Sequence, residues 1–243
     1  MNYKPARGLF ITGTNTEVGK TYVAALIAQS LVAAGHRVGV YKPAASGCRL
    51  ENGELVADDA VALWEAAGKP GRLEEVSPQR FVAPLAPHLA ARAEGQEIDR
   101  ELLVTGIEPW LQGYDLVIVE GSGGLMSPMS DEDYNATLAE HFALPLVVVA
   151  PNELGTINQT LQTLITAVSF GEGLSVAGIV INQVRDDIDD VSQASNRQQL
   201  EQHCVPPVLA EVAYGASGFK EEADATRPVD WFALGAQTGD QET

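Results

Sequence analysis

Residues 13–21 read GTNTEVGKT, between a short β-rich run, GLFITG, and a stretch with apolar residues at helical spacing. The segment ends like a phosphate-binding loop, whose signature is Gly, four residues and then Gly-Lys-Ser/Thr. Here five residues separate Gly13 from Gly19, and Thr14 stands where the signature has its first glycine. The pattern predicts a nucleotide site of an unusual kind, on a strand–loop–helix unit.

The residue types in this loop suit a bound triphosphate. Backbone N–H groups at the start of a helix, together with its dipole, favour an anion at that end. Lys20 would reach the β and γ phosphates, and the Thr21 hydroxyl would bind Mg²⁺. A plain strand–loop–helix junction is the alternative, which the flanking elements disfavour.

Apolar runs separated by helical stretches set the fold class. DLVIVEG, LPLVVVAP and VAGIVIN are nearly continuous apolar runs, typical of strands that are buried on both faces. The chain is therefore expected to be an α/β protein, a three-layer α/β/α fold with a mainly parallel sheet, similar to P-loop NTPases. With no repeat and no linker-like segment, residues 1–243 are expected to form one domain.

Two stretches between the strands give weaker patterns. Residues 69–87 carry several prolines and predict a loop. Residues 99–113, DRELLVTGIEPWLQG, predict a helix, although Gly106 and Pro109 fit a helix badly.

Composition limits the partners. The 243 residues carry a formal net charge of −18, which repels nucleic acid and anionic membranes. No apolar run approaches the ~20 residues of a membrane span, and MNYKPARG lacks the apolar core of a signal peptide. The two cysteines form no Cys-x-x-Cys pattern, so reduced thiols and a cytoplasmic protein are expected.

Charged residues at predicted strand ends are candidates for the site. Glu120 closes the strand DLVIVEG at the ligand-binding edge, whereas Asp115 opens it and is expected to be a turn residue. Lys42 ends the strand RVGVYKP and would supply a second cation for phosphoryl transfer. Asp58 and Asp59 open a helix. The alternative for Glu120 and Lys42 is that they are solvent-exposed charges. The alternative for Asp58 and Asp59 is that they complement the helix dipole.

The motifs GTNTEVGKT, YKPAASG, ADDA, VEGSGGLMSP and LGTIN occur in the order and rough spacing of the dethiobiotin synthetase family. The resemblance spans roughly residues 8–212. It implies that 7,8-diaminononanoate takes up CO₂ (or bicarbonate) as a carbamate, which ATP phosphorylates. The second amine then closes a cyclic urea. The longer loop resembles that of the deviant phosphate-loop ATPases.

The resemblance also implies nucleotide and metal contacts. Thr21, Asp59 and Glu120 would hold Mg²⁺, and Asn182 would read the adenine. The full set of implied ATP contacts is Glu17, Val18, Gly19, Lys20, Thr21, Tyr22, Asp59, Glu120, Gly121, Ser122, Gly123 and Asn182.

The contacts implied for the second substrate fall into two groups. The reacting end would meet Thr16, Lys42 and Ser46, and the implied catalytic residues are Lys42, Lys20 and Thr16. The substrate carboxylate would bind a helix start that, in the family, comes from the neighbouring subunit of a homodimer. That helix start comprises Gly155, Thr156, Ile157 and Asn158.

Several positions depart from the family pattern. Asn15 replaces an aspartate of the loop, and Ser122 replaces an alanine. Ala86 and Gln159 stand in place of a serine and a histidine near the substrate. Ala213–Tyr214 alters a segment by the base, so the preference for ATP over other triphosphates is left open.

Two other classes share the loop. Glutamine-dependent amidating enzymes, such as cobyrinic acid diamide synthases, need a glutaminase domain, for which we expect no room within 243 residues. Partition-type ATPases, which act as switches on DNA or membranes, carry an early lysine in the loop. The corresponding TNTE has none, and the net charge of −18 disfavours DNA.

Overall fold

A computed structural model describes residues 3–186, 189–220 and 228–236. At its centre lies a six-stranded sheet in the order β10-β9-β8-β1-β7-β2, in which all neighbouring pairs are parallel. Its strands are β1 (Gly8–Gly13), β2 (Val38–Tyr41), β7 (Leu116–Gly124), β8 (Leu146–Pro151), β9 (Val176–Asn182) and β10 (Val208–Val212).

Four shorter strands lie outside this sheet: β3 (Ala44–Ala45), β4 (Arg49–Glu51), β5 (Glu54–Val56) and β6 (Gln79–Arg80). The helices in the described residues are α1 (Lys20–Ala33), α2 (Asp58–Ala66), α3 (Leu73–Val76), α4 (Pro87–Ala93), α5 (Arg100–Thr105), α6 (Asn135–Phe142), α7 (Thr156–Ser169), α8 (Gln193–His203) and α9 (Trp231–Leu234).

The strand order places helices on both sides of the sheet. From β1 the chain crosses to β2 in one direction, whereas β8, β9 and β10 follow one another in the other direction. Because parallel crossovers are right-handed, the two directions put their helices on opposite faces. The α/β prediction, with a mainly parallel sheet between helices, is confirmed.

Burial explains the apolar runs. Every residue of β1 and β8 is buried, and both strands lie in the interior of the sheet. Parallel strands covered on both faces need no polar alternation. The parallel register brings the carboxyl ends of the strands to one edge, so Gly13, Glu120 and Asn182 end up on the same side.

Two local predictions were wrong in detail. The predicted loop 69–87 contains α3 and β6, and β6 pairs with β3. The predicted helix 99–113 is divided into α5 and a 3₁₀ turn, Glu108–Trp110. Gly106 separates them, at a point where a Cβ would lie 2.5 Å from the Tyr41 hydroxyl oxygen.

Two further features bear on the environment of the protein. Within residues 3–186, 189–220 and 228–236, no helix is long and apolar enough to cross a membrane. Cys48 and Cys204 are both free thiols.

Candidate active site

The glycine loop is held in a tight turn at the end of β1. Gly19 precedes α1 in the left-handed region, with φ 83°. A Cβ on Gly19 would overlap the side-chain amide of Asn182, and a Cβ on Gly13 would lie 2.7 Å from Val18 Cγ2. Close packing therefore requires glycine at both positions. This includes Gly13, which is one residue farther from Gly19 than the usual loop signature allows.

Lys20 turns back into this loop. Its side chain is buried, and Nζ donates a hydrogen bond to the backbone carbonyl of Asn15 at 3.1 Å. Burial lowers the pKa of Lys20, and the nearby Lys42 adds to that effect. A phosphate in the loop would supply the negative charge that this ammonium lacks among its immediate hydrogen-bond partners.

The two long helices α1 and α7 share an unusual start. Each follows a glycine in the left-handed region, Gly19 or Gly155, with no side-chain cap and no acidic residue in the first turn. By contrast, α2 opens with Asp58 and Asp59, and α5 is capped by Asp99. Uncapped N-terminal N–H groups and a helix dipole favour an anion. Both helix starts therefore suit anionic ligands.

Lys42 lies at the centre of a buried charge network. Its Nζ is 2.7 Å from Glu120 Oε1 and 2.6 Å from Asp59 Oδ2. The Thr21 hydroxyl donates to the same Glu120 oxygen at 2.7 Å. The network joins the loop, β7 and α2 at one point, so the structure brings together the three residues predicted to hold the metal.

Burial and charge shift the pKa values of the network in opposing ways. Burial alone would lower the pKa of Lys42, but Glu120 and Asp59 outweigh it and raise that pKa. Burial raises the pKa of Glu120 despite the neighbouring Lys42. Asp59 is only partly buried, and the charge of Lys42 overcomes its burial and lowers its pKa. Lys42 is therefore the fixed positive charge of the site.

The alternative interpretation, that Glu120 and Lys42 are solvent-exposed charges, is wrong. Glu120 is 0% exposed and Lys42 is 3% exposed, so neither is a surface charge. Asp115 lies at the opposite edge of the sheet, where it pairs with Arg37 at 2.7 Å.

The donor atoms suit Mg²⁺. Glu120 Oε2 is buried and has no hydrogen-bond partner, beside a hydroxyl and a second carboxylate. Across the described part of the chain, no three His, Cys, Asp or Glu side chains are grouped to hold a metal ion by themselves. Mg²⁺ is typically bound through one or two carboxylates together with substrate phosphates and water, which fits this partial set.

The glycine-rich end of β7 is held by a residue that the sequence did not indicate. Asn135, at the start of α6, is fully buried and donates to the carbonyls of Ser122 and Gly124, both at 2.7 Å. Its Oδ1 accepts from the Ser122 N–H at 3.1 Å. Gly123 has φ 77°, and the Gly124 N–H donates to the Ser127 hydroxyl at 2.8 Å. Asn135 therefore fixes the end of β7 that contains Gly121, Ser122 and Gly123.

Two of the predicted ATP contacts, Asn182 and Tyr22, make hydrogen bonds within the protein. Asn182 is buried, and its Nδ2 donates to the carbonyl of Val18 at 3.0 Å, while its Oδ1 has no partner. The Tyr22 hydroxyl donates to the carbonyl of Ala216. Asn182 thus supports the loop, and its role in reading adenine stays a prediction.

A cavity of about 310 Å³ opens beside the loop. Thr16 and Glu17 form one wall, and Gln159 of the first turn of α7 lies in another. Its remaining lining residues are Asn15, Val18, Pro151, Glu153, Val184 and Arg185. Glu153 and Arg185 are lining residues that the sequence analysis missed, although each follows a strand whose carboxyl end lies at the ligand-binding edge.

The other predicted substrate contacts are divided between two places. Ser46 follows β3 and is partly buried, a short way along the chain from Lys42. Thr156 is buried and its Oγ1 has no hydrogen-bond partner, whereas Gly155 and Asn158 are exposed. The start of α7 is therefore accessible, and Gln159 in its first turn lines the same cavity as Thr16.

Comparison with known proteins identifies the family. Residues 7–217 match the family model described as an AAA domain. The chain is 40% identical to the ATP-dependent dethiobiotin synthetase BioD of Rhodopirellula baltica, over 84% of this chain and 82% of that protein. The chain belongs to the dethiobiotin synthetase family. A second dethiobiotin synthetase, from Anaeromyxobacter dehalogenans, is 41% identical over 80% of this chain and 84% of its own length.

Solved structures agree with the fold of this dethiobiotin synthetase family member. The signal recognition particle receptor FtsY of Elizabethkingia anophelis has a TM-score of 0.51 at 15% identity, over 95% of this chain and 64% of that one. A chain of the MinC:MinD cell division complex of Aquifex aeolicus has a TM-score of 0.52 at 15% identity, over 86% and 81%. At this identity they show a shared fold alone.

Proposed function

We propose that the chain is an ATP- and Mg²⁺-dependent dethiobiotin synthetase, a ligase that closes 7,8-diaminononanoate and CO₂ into the cyclic urea of dethiobiotin. The observation that carries the proposal is the meeting of Lys42, Glu120, Asp59 and Thr21 beside the phosphate loop. An ATPase needs the carboxylates and the hydroxyl, but the buried second lysine suits a reaction in which an anionic acceptor takes the phosphoryl group.

Each step of the reaction assigns a task to the residues at hand. One amine adds to CO₂ and loses a proton, giving a carbamate whose negative charge Lys42 would hold. A carbamate oxygen attacks the γ phosphorus of ATP and ADP leaves, while Lys20 and the start of α1 hold the phosphates. The second amine attacks the carbamoyl carbon, and phosphate leaves with one of the two CO₂ oxygens.

Lys42 is suited to this chemistry because it is a fixed cation in a water-poor site. Negative charge moves between the carbamate oxygen and the transferred phosphoryl group, and a preorganised cation stabilises that change most in the transition state. Thr16, in the exposed loop, and Ser46 would orient the reacting end of the diamine through their hydroxyls.

Thr21, Asp59 and Glu120 would hold Mg²⁺ together with the ATP phosphates. The bound ion would neutralise charge on the β and γ phosphates. In the structure Lys42 pairs with both carboxylates. The ion and Lys42 would therefore share these two carboxylates.

The remaining assignments concern the adenine and the substrate carboxylate. Asn182 and the segment after β10 would meet the base. In a homodimer, Gly155, Thr156 and Asn158 of one subunit would bind the carboxylate of the substrate held by the other. Residues 1–243 would form one domain, and the protein would be cytoplasmic. In support, exposed apolar side chains lie just before and along α7: Leu154 is 82%, Ile165 65% and Val168 72% exposed. A second copy of the chain would cover them.

Phosphate release from ATP tests the function directly. We expect release only when 7,8-diaminononanoate and bicarbonate are both present, with dethiobiotin formed in equal amount. Release that ignores both substrates would instead favour a partition-type ATPase, which no observation on this chain otherwise supports.

Removing either metal-binding carboxylate is expected to weaken the use of Mg²⁺. For Glu120→Gln and for Asp59→Asn we expect the Mg²⁺ concentration at half-maximal activity to rise about tenfold or more, since each loses a negative oxygen ligand. Asp58→Asn is the matched control, because Asp58 is exposed and pairs with Arg49 at 2.7 Å. Unchanged Mg²⁺ curves for both test variants would remove these residues from the metal site.

A further inference from the structure

Arg185 stands out among the basic residues. It follows β9, three residues after Asn182, and its side chain is exposed. Over residues 3–186, 189–220 and 228–236, it is the one lysine or arginine for which no hydrogen bond, ion pair or ring contact is found. In a chain with a net charge of −18, an arginine free of carboxylates is unusual.

Arg185 also lies at the border of two cavities. It lines the 310 Å³ cavity beside the phosphate loop and also a neighbouring cavity of about 200 Å³. The segment that contains Glu153, between β8 and α7, lines both cavities as well. An unpaired guanidinium therefore borders an open space into which a ligand fits.

The start of α7 borders the same space. Gln159, in the first turn of α7, lines the 310 Å³ cavity together with Arg185. The helix has no side-chain cap and no acidic residue in its first turn. Thr156 adds a buried hydroxyl without a hydrogen-bond partner at the first position of the helix. The Thr156 N–H donates to the carbonyl of Glu153 at 3.2 Å, which leaves the N–H groups of Ile157 and Asn158 for a ligand. These N–H groups and a planar guanidinium together match the two oxygens of a carboxylate.

We infer that Arg185 is a specificity-determining residue that binds the carboxylate of the 7,8-diaminononanoate substrate. The inference rests on the proposed function, which brings that carboxylate to the start of α7. Arg185 lies beside that helix start in its own chain. It therefore stays beside the carboxylate whether the reacting end of the substrate is bound by the same subunit or by its partner.

The charges around the cavity explain why an arginine is needed. Glu17 and Glu153 both line it, and Arg185 is the one positive side chain among its lining residues, so an anion in this cavity has Arg185 as its cationic partner. Lys20 and Lys42 lie deeper, where the triphosphate and the carbamate need them. Arg185 is thus the cation that remains for the third anionic group, the substrate carboxylate.

The contact between Arg185 and the substrate carboxylate is tested by removing the charge of each partner separately. The variants are Arg185→Gln and the control Arg37→Gln, which alters an exposed arginine at the opposite edge of the sheet. The substrates are 7,8-diaminononanoate and its methyl ester, which keeps both amines and lacks the carboxylate charge. Phosphate release gives KM and kcat for each combination.

For the wild type and Arg37→Gln we expect the ester to have a KM about tenfold above that of the acid. For Arg185→Gln we expect the KM of the acid to rise about tenfold, with the KM of the ester, the KM of ATP and kcat changed less than about twofold.

Three results would overturn the inference: an unchanged KM for the acid, an equal rise for acid and ester, or a rise in the KM of ATP that marks a nucleotide contact. A wild type that makes no dethiobiotin from the acid would contradict the proposed function itself, and this inference with it.

Discussion

Lys20→Ala is expected to lower kcat/KM for ATP by roughly 10³-fold or more while leaving the fold intact. The Lys20 ammonium is buried in the loop and its hydrogen bond goes to a backbone carbonyl, so its charge is free to act on phosphates. Steady-state phosphate release, with circular dichroism to check folding, measures the effect.

The control for this variant is Lys69→Ala. Lys69 is exposed and pairs with Glu65, four residues earlier, at 3.2 Å, so its loss should leave the rate within about twofold. A folded Lys20→Ala protein with an unchanged rate would contradict the assignment of the loop as a nucleotide site.

The second large effect is expected at Lys42. Lys42→Gln should lower kcat by roughly 10²–10³-fold and change the KM of ATP much less than Lys20→Ala does, because Lys42 acts on the carbamate and the moving phosphoryl group. Lys42→Arg should recover only part of the rate, since a planar guanidinium replaces a compact ammonium in a closely packed site. A near-normal kcat for Lys42→Gln would show that Lys42 takes no part in the reaction and serves only as the ion-pair partner of Glu120.

The same residue should control stability in a pH-dependent way. In Lys42→Met the buried Glu120 loses its cation, a change that typically costs about 3–5 kcal/mol. Burial already raises the pKa of Glu120, and the loss of Lys42 raises it further. A raised carboxyl pKa lowers stability as pH rises above the ordinary value of about 4.3, because the unfolded chain ionises freely while the folded chain resists.

Urea unfolding at pH 5 and pH 8 measures this dependence. The loss of unfolding free energy relative to wild type should be larger at pH 8, since the raised pKa of Lys42 lies well above both pH values and keeps the wild-type pair intact. An equal loss at the two pH values would contradict this, because it would show that Glu120 is already ionised in the folded variant at pH 5.

Most of the fold could be predicted because buried parallel strands leave a direct pattern in the sequence. The apolar runs that became β7, β8 and β9 need no long-range information to be found. The division of residues 99–113 had a local signal in Gly106 and Pro109, which fit a helix badly. The close approach of Gly106 to Tyr41 left no local pattern, because the two residues are far apart in sequence.

The site was predictable in its residues and much less so in its contacts. Strand ends pointed to Lys42 and Glu120, because the carboxyl ends of parallel strands share one edge. Their pairing, and the complete burial of Glu120, depend on how α2 and β2 pack against β7. Asn135 was missed because its contacts with the end of β7 appear only in the folded chain. Arg185 follows a strand end, but the sequence does not show that it lacks an acidic partner.

The central claim is that phosphoryl transfer to a carbamate drives ring closure at Lys42. Reaction of the enzyme with ATP, Mg²⁺, 7,8-diaminononanoate and CO₂ labelled with ¹³C and ¹⁸O tests it, with mass spectrometry of both products. We predict dethiobiotin with ¹³C and one ¹⁸O in its urea carbonyl, and inorganic phosphate with one ¹⁸O from the same CO₂. Dethiobiotin formed alongside unlabelled phosphate, or no dethiobiotin at all, would contradict this account.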